Sequence, residues 1–131
     1  MQQIIISTRD QETSDLILTA FKQFPGIMPH AVNSPELTEA ARNSACVAIV
    51  TDLDPDQVGH ADQIHKLRQV APNAEICLIS KGKRPGRLAQ QKREFSLFTT
   101  IQRPINAFDV ARKILRLQAH LNATRPATVG V

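Results

Sequence analysis

The sequence predicts an α/β domain built on a doubly wound, five-stranded parallel sheet. Three observations carry that expectation. Five short strand-like runs alternate with five segments that have helical period or helix-start chemistry. The third run, Cys46-Val47-Ala48-Ile49-Val50-Thr51, is apolar throughout, as befits a strand covered on both faces. The chain of 131 residues, 42% apolar and 21% charged, has the size and composition of one globular domain with a proper core.

Gln3-Ile4-Ile5-Ile6-Ser7 reads as the first strand. Asp10 is placed to cap a helix reaching Phe21-Lys22, with Leu16, Ile17, Ala20 and Phe21 as its inner stripe. Pro25-Gly26 breaks the chain. Ile27 to Val32 is a weak second strand, suited to an edge because Pro29 cannot donate to a central ladder. Ser34 as cap and Pro35 in the first turn start a second helix, which runs to Asn43. The third strand, Cys46 to Thr51, leads into an acidic loop, Asp52-Leu53-Asp54-Pro55-Asp56-Gln57. A helix then covers Ala61 to Val70, stopped by Ala71-Pro72-Asn73.

Glu75 to Ser80 is the fourth strand. The basic loop Lys81-Gly82-Lys83-Arg84-Pro85-Gly86-Arg87 follows, leading into a poor helix around Leu88 to Arg93. Ser96 to Ile101 reads as the fifth strand. Asn106 and Asp109 resemble a capping pair for a last helix, whose buried face is assigned to Phe108, Ala111, Ile114, Leu115 and Ala119. Phe98, Phe108 and Leu117 are expected in the core. Residues 1–121 thus form the domain, and 122–131, which lack any period, read as a tail or linker.

Composition excludes several classes. No apolar run approaches the roughly 18–20 residues that span a bilayer, and Met1-Gln2-Gln3 lacks a basic signal-peptide start, so a cytoplasmic protein is expected. Cys46 and Cys77 fall inside strands without CxxC spacing and read as buried, reduced thiols. His30, His60, His65 and His120 lack ligand spacing and are assigned surface roles, so no metal site is expected from them. No Ser-His-Asp set, P-loop, GxGxxG or HExxH is present, which argues against an independent enzyme. The net charge of +4 permits an acidic partner. Five Phe, with no Trp or Tyr, leave few platforms for stacking bases.

The informative residues lie where strands end. In an open parallel sheet the carboxyl ends of the strands converge on one crevice. Asp52 closes the third strand, Ser80 the fourth, and Arg103-Pro104 follows the fifth, so a carboxylate, a hydroxyl and a cation are expected to meet. The first strand, in contrast, ends in Thr8-Arg9 with no acidic pair. Asp52 also has a plainer reading, as a loop-initiating aspartate that satisfies backbone donors. Asp10 is assigned to capping, and Asp54 and Asp56 to solvated loop positions.

Taken together, Asp52, Ser80 and Arg103-Pro104, with the Pro55 loop and Gly59 in support, resemble the receiver domain of two-component response regulators over about residues 3 to 121. The resemblance implies a flavodoxin-like (βα)5 fold with strand order 2-1-3-4-5. It implies that Asp52 would take phosphate from a histidine kinase and that two acids after the first strand would help hold magnesium. Ser80 would hydrogen-bond a phosphoryl oxygen, and a lysine at position 103 would pair with the phosphate. The chain departs from that pattern. Thr8 and Arg9 occupy the acidic positions, Arg103 replaces the lysine, Lys81 replaces a small residue, and Thr100 stands where the aromatic switch is expected.

Magnesium needs hard oxygen ligands, usually carboxylates, and phosphoryl transfer relies on the metal's charge. The departures therefore predict impaired phosphorylation and no magnesium cofactor, with the Arg9 and Arg103 guanidinium groups pairing with Asp52 instead. The leading expectation is a degenerate, pseudo-receiver module acting through protein–protein contact. Its partners would be other signalling proteins or an output domain in a longer chain. A second copy is expected on the face of the fourth helix, fifth strand and fifth helix, which receivers commonly use. One alternative is an active single-domain response regulator phosphorylated on Asp52. Another is a nucleic-acid-binding domain using Lys81, Lys83, Arg84, Arg87, Lys92 and Arg93, disfavoured because no base-reading element accompanies them and a solvated basic loop explains them.

Overall fold

The computed structural model describes residues 2–124. Its elements run β1 (Gln2–Ser7), α1 (Gln11–Lys22), β2 (Ile27–Ala31), a 3-10 turn (Ser34–Glu36), α2 (Leu37–Asn43), β3 (Cys46–Thr51), α3 (His60–Val70), β4 (Glu75–Lys81), α4 (Pro85–Glu94), β5 (Thr99–Arg103) and α5 (Ala107–Thr124). The strands form one sheet in the order β2-β1-β3-β4-β5, every neighbouring pair parallel. This is the expected doubly wound α/β architecture. Among the described residues no helix is long and apolar enough to cross a membrane.

Alternation along the strands divides the core between two faces. Ile4 and Ile6 of β1 pack with Ile17 and Phe21 of α1 and with Val110, Ile114 and Leu117 of α5. Ile5, pointing the other way, joins Ile49, Ile76 and Leu78 against Leu37 of α2 and Ile64 and Leu67 of α3. β3 is buried at all six positions, as a central strand between two helical layers must be. Pro29 sits in β2, which pairs only with β1, so its missing N–H costs no central hydrogen bond.

Several boundaries differ from the sequence expectation. Ser34 does not cap α2. It opens the 3-10 turn behind Asn33, and α2 itself begins at Leu37. β5 starts at Thr99 rather than Ser96, because Phe95 and Leu97 are drawn into the core beneath α3 while Ser96 takes a left-handed turn at φ 53°. Lys81 belongs to β4, and Pro85 to Arg87 form the first turn of α4, so the basic loop is shorter than expected.

The largest correction concerns α5. Its buried side chains are Val110, Ile114, Leu117 and Leu121, whereas Phe108, Ala111, Leu115 and Ala119 are exposed. This helix is apolar around much of its circumference, and periodicity alone could not set its phase. It also continues to Thr124, so residues 122–124 of the expected tail are helical. Residues 125–131 of that tail lie outside the described residues.

Candidate functional site

The parallel register brings the strand ends together as a set. Ser7 stands level with Thr51, and Ser80 and Lys81 stand level with Gln102 and Arg103. Asp52, the next residue after β3, is half-buried. Its Oδ2 accepts a hydrogen bond of 2.8 Å from the Arg9 backbone N–H, and its own N–H donates to the Ser7 carbonyl at 3.3 Å. The loop after β1 is therefore clasped to the end of β3 through the backbone. Ser80 is buried, and Thr8 donates its hydroxyl to the Asp10 carbonyl at 3.0 Å.

Arginine does not meet Asp52 in the way the sequence suggested. Position 9 reaches the carboxylate through its amide, and the Arg9 side chain is exposed. The Arg103 guanidinium turns to α1 instead, donating to Asp10 Oδ2 at 3.2 Å and to Thr13 Oγ1 at 3.0 Å. Asp10 does cap α1, accepting from the Glu12 N–H at 3.1 Å, and it accepts from the Thr13 hydroxyl as well. Those donors, Thr13 foremost and then Arg103, hold its carboxyl below the ordinary aspartate range. The helix N-terminus supplies the reason for the swap. It fixes an anion at position 10, and the cation at the end of β5 goes to that anchored charge.

Between α1 and the end of β5 lies a cleft of about 460 Å³, lined by Asp10, Glu12, Thr13, Lys81, Arg103 and Pro104. Its two acids and two bases balance. A magnesium ion of the kind a phosphorylatable receiver uses does not fit these residues. The residues that follow β1 beside Asp52, Thr8 and Arg9, offer no carboxylate, and Asp10 already accepts from the Glu12 N–H, Thr13 and Arg103. Among the described residues no three His, Cys, Asp or Glu side chains converge as a metal site.

A second constellation was missed in the sequence. Asp54 and Asp56, expected to be solvated, bind the basic segment. Lys83 Nζ lies 2.9 Å from Asp54 Oδ1 and also contacts Asp56, with only 12% of its side chain exposed. Arg87 grips both Asp56 oxygens, and Gln91 Nε2 donates to Asp56 at 3.3 Å. Arg87 and then Lys83 hold the Asp56 carboxyl down at about 2. Gln102 of β5 closes the group by donating to the Lys83 carbonyl at 2.9 Å. The signal was present: acids after β3 and bases after β4 become neighbours once β3 and β4 are adjacent, which the strand order dictates.

Lys83 and Arg87 therefore leave the expected basic contact surface, whereas Lys81, Arg84, Lys92 and Arg93 remain exposed. Thr100, expected from the sequence to stand where an aromatic switch would, is half-buried, and its carbonyl accepts from Lys113 of α5. Three histidines also have structural partners. His60 Nδ1 accepts from the Asp54 N–H at 2.9 Å, His65 packs on Phe95, and His120 pairs with Glu75 and packs on Phe98. Gly59 precedes α3 at φ 85°, a left-handed conformation that disfavours side chains.

No family model matches the chain, and no curated protein matches it by sequence. Solved structures do match it in shape. A response regulator of Thermotoga maritima superposes with a TM-score of 0.75 at 12% identity, over 91% of this chain and 98% of that one. The signal receiver domain of an HD-domain-containing protein of Pseudomonas fluorescens gives 0.73 at 10% identity, over 96% and 93%. A response regulator of Burkholderia pseudomallei, solved with a phosphorylated aspartic acid, a calcium ion and citrate, gives 0.67 at 15% identity, over 96% and 76%. Strand order, five-helix wrapping and these superpositions agree: the chain has the fold of response-regulator receiver domains.

Proposed function

We propose that the chain is a receiver-type signalling module, not an enzyme, that works by presenting a fixed surface to other proteins and whose aspartyl phosphorylation is impaired. The observation that carries this reading is the surroundings of Asp52. The carboxylate takes an amide hydrogen bond from position 9, and the two positions that would complete a cation cage are a threonine and an arginine. Without a metal to neutralise the incoming phosphoryl oxygens, the transfer loses its main electrostatic support.

The ionic group on Asp56 supports the fixed-surface half of the reading. It ties the β3–α3 loop to the β4–α4 loop and α4, so that segment is held by protein charges instead of by a phosphoryl group. We read the module as one part of a longer cytoplasmic regulatory protein. A neighbour in fold is the receiver domain of an HD-domain-containing protein, which is support by analogy. Nucleic-acid binding is disfavoured, since Lys83 and Arg87 are already committed to carboxylates.

The test is incubation with magnesium and acetyl phosphate followed by intact-mass measurement. The unmodified mass is expected. Gain of one phosphoryl group, abolished by Asp52→Asn, would establish instead an active regulator that tolerates the substitutions.

A further inference from the structure

α5 carries a second apolar stripe beside the one it buries. Phe108, Ala111, Leu115 and Ala119 follow one another at i, i+3, i+7 and i+11, a little over a third of a turn, roughly, from the buried row. Phe108 is 78% exposed and Leu115 58%. Beside them a trough of about 390 Å³ runs between α5 and α1, lined by Leu16, Thr19, Ala20, Ala107 and Ala111 among others. The stripe therefore lies toward α1 and away from α4. Among the described residues, the outward surface of α4 shows no exposed large apolar side chain and is rich in base through Arg84, Lys92 and Arg93.

The two margins of the stripe carry opposite charge. Toward the start of α1, exposed Glu12 and Asp15 flank one side, with Lys22 at the far end of that helix. On the other side stand exposed Arg116 and Arg112 of α5, the latter also bonded to Asp109 at 2.9 Å. We propose that a second copy of this chain docks here, through Phe108 and Leu115 on the α1–α5 face. Such a surface is self-complementary. A two-fold axis laid along the stripe places the acidic margin of each copy over the basic margin of the other, with the two α5 helices parallel. An axis across the helices would set acid on acid, so the charge pattern selects the parallel arrangement. The face expected to pair from the sequence, around α4, would bring cationic surface against its own copy.

The proposal rests on the surface of α5 and is independent of whether Asp52 is phosphorylated. Sedimentation equilibrium of the chain up to about 200 µM is expected to show a reversible dimer, in the range of transient interfaces. Leu115→Glu is expected to weaken it at least about tenfold while leaving the circular dichroism spectrum unchanged. Asp15, which lines the trough beside Ala107 and Ala111, meets Arg112 of the other copy at the same height. Asp15→Lys and Arg112→Glu should therefore each weaken it, and combining them should restore affinity, a rescue that a folding defect or a different occupant would not produce. A chain that stays monomeric at about 200 µM, or a dimer indifferent to Leu115→Glu and to the charge swap, would overturn the proposal. The first result would assign the stripe to a different protein or to residues 125–131, and the second would place the dimer interface elsewhere.

Discussion

Asp56 shows how much one loop carboxylate does here. It accepts from Arg87, Lys83 and Gln91, side chains that stand 27 to 35 positions further along the chain. Its carboxyl is held at about 2, chiefly by Arg87, against an ordinary value of 3.8. A depressed carboxyl pKa stabilises the fold above the unfolded value and loses that contribution as pH falls through the folded value. Stability from this group is therefore full above pH ~4 and fades between ~4 and ~2. Exposed ion pairs contribute only about 0.2–1 kcal/mol each, but removing Asp56 also strips a contact from the largely enclosed Lys83. Asp56→Asn is expected to cost about 1 kcal/mol near neutral pH, a fall in Tm of about 4 °C. Below pH ~3 the difference from the parent should shrink. Thermal melts at both pH values check this, and a constant difference would count against the assignment.

α4 is the element that leans on that network. Arg84 at its N-cap makes no side-chain cap bond, Gly86 lies in its first turn, and Gln91 is its one fully buried residue. Most helices of a globular protein are held by an apolar face. α1 and α5 have one; α4 is moored largely by Asp56 through Arg87 and Gln91, with Leu88 half-buried. Weak apolar anchoring predicts low local stability. In hydrogen–deuterium exchange, the amides of α4 are expected to exchange before those of α1, α3 and α5, and sooner still in Asp56→Asn. Protection in α4 equal to that of α5 would contradict the polar mooring. α5 itself teaches the complementary point. With apolar side chains at 108, 110, 111, 114, 115, 117, 119 and 121, it offered two faces to the core, and the sheet took the one centred on Val110, Ile114 and Leu117.

The whole domain opens through its central strands. Cys77 lies on β4 between β3 and β5, and its thiol is fully enclosed and pushed up to about 12 by burial, with Glu75 adding to the rise. Thiolate is the reactive form, so alkylation in the native state requires the sheet to open. Labelling of Cys77 at pH ~8 is expected to be slow and to accelerate with urea along the slope of global unfolding. Rapid labelling without denaturant would mean that β4 opens locally and that the sheet does not unfold as one unit. The two-layer packing gives the reason for cooperativity. The buried apolar residues of β1, β3 and β4 divide between the two helical layers, so exposing one strand disrupts both.

Much of this molecule was legible from residue order. Apolar runs of strand length, Pro and Gly punctuation, Asp10 before α1 and Pro29 on an edge strand determined the α/β class and the sheet's winding, because those signals act over a few neighbouring residues. Asp52, Ser80 and Arg103 were placed correctly at strand ends for the same reason. Tertiary structure decided what those groups touch. Arg103 chose Asp10 over Asp52 because a helix N-terminus had already fixed a carboxylate beside it, and Lys83 and Arg87 found Asp54 and Asp56 because adjacent strands brought two loops together. The phase of α5 and the true start of β5 were settled in the same way. Those outcomes depend on competition among partners far apart in the chain, which periodicity and local propensity cannot rank.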